Sequence, residues 1–337
     1  MNRKTKIITN EKSRLLQLQG AVIFLYCHGF CADGIGVREI AQASCMEKKE
    51  ERIEEKVTHE EQTVEQKKRK NVAARKTAVI VGASSGIGRE TALKLSAKGY
   101  RVYNLSRTPF RGERVRTITV DASQEGELKR AIATIGEEVL AIDLLIYSAG
   151  FSMAAPIEYA GSGDYRYLFE VNYFGAIEAM RAAVPYLKKR GGRVILIGSI
   201  GGDLPIPYDS FYSSSKAALS MLAREADVEL RPAGVRVSAL LPGGTSTDFT
   251  YHRRVYSAEE SKSYSSSVKK ASAALANIEQ GGMNPSLVAE AVIRLAEKKN
   301  PATVTVAGGK NMVVRYLYKM LPERVTDWMV RKKFNQN

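Results

Sequence analysis

From residue 76 onward, short apolar runs alternate with longer stretches in which apolar residues recur at helical spacing. The runs are 77–81, 101–105, 116–120, 144–147, 194–197, 235–241 and 303–306. They are rich in Val and Ile and mostly apolar on both faces, the pattern of strands buried between two layers of helix. Between them, 89–98, 124–139, 165–189, 211–230 and 285–299 read as helices. Gly99 and Gly191 fall just past two helix ends, where a left-handed cap suits glycine. Alternating units of this kind close by right-handed crossovers. The predicted fold is α/β, a doubly wound parallel β-sheet with helices on both faces.

The flanks follow other patterns. Residues 1–46 read as short helices of mixed character, a degenerate N-terminal extension. Residues 47–72 hold eight acidic and eight basic residues with almost nothing apolar, too little to offset the entropy of ordering. The segment 47–75 is therefore a charged helical or disordered linker. The domain of alternating strands and helices spans 76–310. Within it, 245–284 is rich in Ser, Tyr and Lys and reads as a mobile lid, with Tyr251, Tyr256 and Tyr264 as candidate pocket residues. In the tail, 311–337, Met312, Val313, Tyr316, Leu317, Met320, Leu321, Val325, Trp328, Met329 and Phe334 recur at helical spacing among Arg and Lys. A basic amphipathic segment packs over a pocket or a second subunit, or lies on a membrane surface.

Composition narrows the class. With 337 residues, 44% hydrophobic and 26% charged, the chain is an ordinary globular protein. No apolar run reaches the roughly 20 residues of a spanning helix. A net charge of +15 points to polyanionic partners, among them phosphorylated cofactors. The three cysteines, Cys27, Cys31 and Cys45, form no disulfide framework, and a cytoplasmic setting is expected. Gln17 and Gln19 interrupt the apolar stretch that a secretory signal would need. Cys27, His28 and Cys31 have no second ligand pair at zinc spacing, so no metal is expected.

The first strand runs straight into Gly82-Ala83-Ser84-Ser85-Gly86-Ile87-Gly88 and then a helix. Glycines at such a turn let the backbone approach a pyrophosphate, which the helix N-terminus receives with free N–H groups. A structural turn also needs glycine, and the position after the first buried strand favours nucleotide binding. The second strand ends Asn104-Leu105-Ser106-Arg107, with no acid to take an adenosine 2′-hydroxyl. Arg107, with Arg89 just after the turn, would instead take a 2′-phosphate. NADP(H) is therefore favoured over NAD(H).

Tyr212 and Lys216 stand four apart on one helical face. A nearby ammonium favours tyrosinate and would lower the phenol's pKa, suiting Tyr212 to general acid/base work on a carbonyl or alcohol. Ser199 follows the strand 194–197, where ligands of parallel sheets bind. The strand before it ends Tyr147-Ser148-Ala149-Gly150, small enough at Ala149 and Gly150 for a cofactor to lie across. Asn172 sits inside a long helix, an awkward place for asparagine; it either faces the site or marks a buried kink.

On these residues, 76–307 resembles the short-chain dehydrogenase/reductase family, whose fold is Rossmann-like. Gly82 to Gly88 match its cofactor turn, with Ser84, Ser85, Gly86 and Ile87 in it. Asp121, with Ala122 after it, matches the acid beside the adenine ring. Asn172, Ser199, Tyr212 and Lys216 match its catalytic tetrad. Pro242 and Gly243, with Thr245, Thr247 and Phe249 following, match the segment beside the nicotinamide. The family's Asn-Asn-Ala-Gly is Tyr147-Ser148-Ala149-Gly150 here, a departure that removes sheet-stabilising asparagine bonds. The resemblance implies hydride transfer between nicotinamide and a carbonyl or secondary alcohol. Tyr212 would exchange the proton, Lys216 would hold the ribose, Ser199 would orient the substrate oxygen, and Asn172 would relay protons through water. It also implies a homodimer or homotetramer paired through 165–189 and 211–230, with Ala176, Ala179, Ala182, Ala183, Ala217, Ala218, Met221 and Leu222 as packing positions. The alternative is a non-catalytic NADP-binding regulator on the same scaffold. Residues 21–46 weakly resemble part of a TetR-type helix-turn-helix. The second helix is missing, so nucleic acid is not an expected partner.

Overall fold

The computed structural model describes residues 75–110 and 112–334. The expectations for the N-terminal extension, its cysteines and helix-turn-helix fragment, and for the charged linker up to residue 74, lie outside the described residues.

The chain begins β1 (Thr77–Val81), α1 (Gly86–Ala97), β2 (Arg101–Ser106), β3 (Val115–Thr119), α2 (Glu127–Val139) and β4 (Leu144–Tyr147). After the two-residue β5 (Met153–Ala154) come α3 (Ser162–Phe169), a π-helical turn (Glu170–Phe174) and α4 (Gly175–Leu187). β6 (Arg193–Ile197), α5 (Ser210–Leu230) and β7 (Arg236–Leu241) follow. Then come β8 (Arg254–Val255), α6 (Ala258–Ser261), α7 (Ser265–Gln280), α8 (Pro285–Glu297), β9 (Val304–Val306), α9 (Gly309–Met320) and α10 (Glu323–Lys333).

Seven strands form one sheet in the order β3-β2-β1-β4-β6-β7-β9, every pairing parallel. Successive residues of β1 serve opposite faces, as a strand's period of two requires. Val79 and Val81 pack with Ile132 of α2, Ala179 of α4 and Leu219 of α5. Ala78 and Ile80 pack with Ala92 and Leu95 of α1 and Val288 and Val292 of α8. The predicted two-layered cover is thus present. Its consequence for function is topological: the chain leaves β1 for β2 on one side and returns to β4 on the other. A crevice opens at the carboxyl ends of β1 and β4.

Three segments carry structure that the sequence reading did not specify. The helix expected over 165–189 is interrupted by the π-helical turn at Glu170–Phe174, and Pro185 lies inside its last part. Its Ala176, Ala179 and Ala183, expected between subunits, are fully buried against this chain's own sheet, because only small residues let α4 lie so close. The segment expected as a lid carries the sixteen-residue α7, whose Val268, Ala271 and Leu275 form a buried stripe. The tail folds as two helices, broken at Pro322.

Candidate active site

The turn after β1 is built by steric necessity. Gly82 has φ of 86°, and a Cβ there would lie 2.6 Å from the Ala149 backbone nitrogen. At Gly88 a Cβ would lie 2.1 Å from the Gly82 carbonyl oxygen, so α1 packs against the strand end only as glycine. Ser85, the N-cap of α1, leaves its side chain out of the cap, and the first N–H groups of the helix face the crevice unclaimed by it. Asn104, fully buried on β2, accepts from the Ala83 N–H at 3.0 Å and donates to the Ser106 and Thr117 hydroxyls. It pins the turn to the neighbouring strand. The sequence reading used Asn104 only to mark a strand end.

A single cavity of about 1470 Å³ runs along the crevice. Gly82, Ser84, Ser85, Gly86 and Ile87 line it, as do Arg107, Asp121, Ala122, Ala149 and Gly150. Ser199, Tyr212 and Lys216 line it from the other side, with Pro242, Gly243, Thr245 and Thr247. Three expected residues do not line it. Gly88 serves helix packing, Arg89 turns its guanidinium over the Phe110 ring at 5.3 Å, and Asn172 sits behind the wall. Arg107 reaches the Tyr167 hydroxyl at 3.3 Å across the cavity's rim. Burial pushes the Asp121 carboxyl up, but hydrogen bonds from the Ser123 N–H and hydroxyl, with Arg107 nearby, hold it below the usual range.

The departure at Tyr147 has a structural answer. Its ring is fully buried at the end of β4, and its hydroxyl donates to the Val171 carbonyl inside the π-helical turn. A turn of that kind leaves carbonyls without their ordinary helical donor. Tyr147 supplies one, and Gly175 makes room: a Cβ there would lie 2.4 Å from the Tyr147 hydroxyl. The β1–β4 ladder is regular without the asparagines.

Asn172 lies in that same turn with no exposed surface. Its Oδ1 accepts from the Phe151 N–H and its Nδ2 donates to the Phe151 carbonyl, both at 3.0 Å, and to the Ser215 hydroxyl at 3.1 Å. Ser215 in turn donates to the Tyr212 carbonyl at 2.7 Å. The side chain thus fastens the Gly150–Phe151 loop to α5. Of the two alternatives left by the sequence, the geometry matches the buried helix irregularity, since the side chain does not line the cavity.

Ser199 N-caps a short 3-10 turn, its Oγ accepting from the Gly201 N–H at 3.0 Å. Lys216, 4% exposed, donates to the Ile197 carbonyl at 2.9 Å and lies 5.7 Å from the Tyr212 ring centroid. Burial pulls its pKa down to about 8. The Tyr212 ring is tilted against Phe249, with centroids 5.7 Å apart.

One expectation is reversed. The Tyr212 hydroxyl is pushed well above the ordinary phenol value, not below it, first by burial and then by the Asp209 carboxylate. The Ser199 hydroxyl pulls only part of that back. A buried lysine that itself holds its proton weakly cannot outweigh the desolvation of a phenolate.

Sequence reasoning missed a charged cluster under the site. Asp209, 2% exposed, accepts from the Ser152 hydroxyl at 2.6 Å, and the Arg253 Nε donates to that same hydroxyl at 3.0 Å. Arg253 is ion-paired to Glu279 at 2.5 Å, and Glu279 accepts from Thr250 at 2.6 Å. Burial pushes Asp209 up to about 7. These residues come from four separate segments, and no local spacing signals them. The expected lid tyrosines do not line the cavity; Tyr256 is buried beneath it, its hydroxyl donating to Asp164. Phe249, Leu275 and Ile278 face the cavity instead.

The sequence matches the model of the family described as short chain dehydrogenase over residues 76–255. It is 31% identical over 257 residues to 3-ketodihydrosphingosine reductase of Bacteroides thetaiotaomicron, covering 75% of this chain and 96% of that one. To the NADPH-dependent 1-acyldihydroxyacetone phosphate reductase of Saccharomyces cerevisiae it is 33% identical over 194 residues, 53% of this chain and 64% of the yeast protein. Among solved structures, a short chain dehydrogenase from Burkholderia cenocepacia in complex with NADP superposes with a TM-score of 0.62 at 25% identity. That match covers 76% of this chain and 97% of that one.

Proposed function

The chain belongs to the short chain dehydrogenase family, and from that premise we propose that it is an NADPH-dependent reductase of a lipophilic ketone, giving the secondary alcohol. The observation that carries this reading is the meeting of Ser199, Tyr212 and Lys216 with the glycine turn in one cavity. At about 1470 Å³ the cavity exceeds the roughly 300–1,000 Å³ of an ordinary small-molecule pocket, so a dinucleotide leaves room for a second molecule.

The residues present fit the cofactor. Ser84, Ser85 and Gly86 line the cavity at the N-terminus of α1, where free N–H groups would receive a pyrophosphate. Arg107 stands at the end of β2 for a 2′-phosphate, and Asp121 with its lowered pKa stands at the end of β3 as an acceptor for an adenine amine. When bound, NADPH supplies a hydride to the carbonyl carbon.

The chain's own groups handle the oxygen. Ser199 donates a hydrogen bond to the carbonyl oxygen and aligns it. Tyr212, held protonated by burial, gives that oxygen its proton as negative charge develops on it. Lys216 is positioned to hold the ribose and supply positive charge beneath the ring. Asn172 keeps the Gly150–Phe151 loop and the catalytic helix in fixed relation. The phenol is protonated at neutral pH, as a donor to the developing alkoxide must be.

The far wall suggests the substrate class. Leu204, Ile206, Phe249, Leu275, Ile278 and Val314 make it apolar. A long or bulky hydrocarbon part beside the ketone fits such a wall. The similar Bacteroides protein is named for a long-chain ketone. The test is a panel of ketones, from short water-soluble ones to long-chain and steroid ketones, with NADPH oxidation followed by absorbance. Turnover that rises with hydrocarbon size supports the reading. Turnover confined to small polar ketones, or to no carbonyl compound at all, overturns it.

A further inference from the structure

Twenty large hydrophobic residues are exposed among the described residues, and ten of them fall between Met312 and Met329. α9 buries none of its residues, and Met312, Val313, Tyr316 and Met320 are each more than half exposed. A contiguous apolar surface of this kind marks an interaction site. The same two helices hold seven basic residues against two acidic ones. Arg315 and Lys319 pair with Asp203, and Arg331 pairs with Asp327. Lys310, Arg324, Lys332 and Lys333 have no acidic partner among the described residues. Lys332 lies over the exposed Trp328 ring at 5.0 Å.

We propose that α9 and α10 dock the protein on an anionic membrane surface, with the mouth of the cavity turned to the lipid. Charge selects the occupant. A second copy of this chain would bring the same basic helices and repel, whereas an anionic bilayer offers negative charge and an apolar interior together. Trp328 at the rim is the side chain that such an interface favours. Position supplies the second argument. Val314, Trp328 and Met329 are both exposed and part of the cavity lining, so the docking surface and the cavity entrance are one place. A lipophilic ketone would then pass from bilayer to cavity without crossing water. That last step rests on the substrate reading above; the docking itself does not.

Trp328 is the sole tryptophan of the chain and reports on its own surroundings. The full chain, without cofactor, is titrated with vesicles of phosphatidylcholine alone and of phosphatidylcholine mixed with phosphatidylglycerol. Trp328 emission and co-sedimentation are both read. The expected result is a blue shift and sedimentation with the anionic vesicles only, lost at high salt. Two double variants lie outside the cavity lining. In Lys310→Gln with Arg324→Gln, each lost charge weakens partition about fivefold. Met312→Ser with Met320→Ser weakens it without changing the charge. Both keep NADPH turnover of a water-soluble ketone at the parent level. No blue shift with anionic vesicles, equal binding to both vesicle types, or binding untouched by either double variant overturns the proposal. So does a methionine double variant that turns an oligomer into a monomer, since the face then belongs to a second copy. Vesicle binding without ketone turnover would sink the reductase reading alone, and turnover without vesicle binding would sink the docking alone.

Discussion

At the scale of single residues, the site turns on proton affinities set by burial. Tyr212→Phe removes one hydroxyl while the ring still packs on Phe249, and Lys216 keeps its bond to the Ile197 carbonyl. General acid–base groups contribute about 10²–10⁴-fold, so turnover of a confirmed ketone should fall at least about a hundredfold. NADPH affinity, measured by calorimetry, should stay near the parent value. A variant with parent turnover would remove Tyr212 from catalysis. The pH dependence has a definite sign. Lys216 is an ammonium below its pKa of about 8 and neutral above it, so reduction should decline as pH rises through that region. The Tyr212 phenol is held protonated beyond it and should not set that limb. Asp209, at about 7, also loses its proton on the way up. The Asp209→Asn variant separates the two: the rate profile should keep its alkaline limb near pH 8. A limb that vanishes would hand the control to Asp209. Of these groups, Tyr212 and Lys216 were legible from their local spacing and Ser199 from its place just after a strand. Asp209, Arg253 and Glu279 were not, since tertiary packing alone joins them. The direction of the Tyr212 shift was misread for the same reason, because sequence displays the neighbouring ammonium and hides the burial.

At the scale of elements, the seven strands of the large sheet were legible to within a residue or so, because most of them are apolar on both faces, whereas the two-residue β5 and β8 carry no such signal. The π-helical turn at Glu170–Phe174 was not, as its cause lies on another strand. Tyr147 and Gly175 form a complementary pair, one filling the space the other vacates. Gly175→Ala should therefore cost about 1–3 kcal/mol by overpacking, read from urea unfolding. Adding Tyr147→Phe should recover part of that loss but not all, since the new Cβ still meets the Ala122 carbonyl at 2.8 Å. No recovery at all would mean that the two residues are not coupled. A second element-level joint is Asp227 on α5. It is wholly buried and accepts from Arg236, Arg231 and the Val237 N–H, which ties α5 to β7. Burial raises its pKa, but these donors overcome that and bring it down to about 2. Its folded pKa thus lies below the ordinary value of about 3.9, so its stabilisation is present at neutral pH and fades as pH falls from about 4 to about 2. Asp227→Asn should cost about 3 kcal/mol at pH 7, the low end for a broken buried ion pair because Arg236 is partly solvated. The penalty should shrink in acid. A pH-independent penalty would point to shape and not charge.

At the scale of the whole molecule, two surfaces remain outside the core. One is the C-terminal pair of helices; the other is the outer side of α4 and α5 with the π-helical turn, where Phe174, Met221 and Val228 are exposed. Of the packing positions first expected there, Ala176, Ala179 and Ala183 are buried within the chain, whereas Met221 is exposed, and we propose pairing through it with Phe174 and Val228. The subunit count should be two or four by light scattering at micromolar concentration, and a monomer would refute the pairing. On the proposed reading the cofactor would lie along the crevice, whose lining runs from the β1 turn to Thr245 and Thr247 beyond β7, so its choice would be a property of the assembled crevice. The sequence displayed this choice as an absence, since no acid closes β2, together with Arg107 in its place. The fold sets Arg107 on the cavity rim and takes Arg89 away to Phe110, so of the two arginines first considered Arg107 is the one proposed to decide. A ligand that binds only the folded state at a hundred times its Kd adds about 2.7 kcal/mol. For a domain of this size that raises Tm by about 5–10 °C. NADPH should produce such a rise in a thermal melt, and NADH at the same concentration a much smaller one. Arg107→Ala should bring the NADPH shift down to the NADH level and leave the NADH shift unchanged, because the 2′-phosphate is the only group by which the two cofactors differ. The Arg89→Ala variant should leave both shifts in place. Equal shifts for the two cofactors in the parent protein would overturn the preference. A parent preference that survives Arg107→Ala would place the phosphate on some other group of the rim.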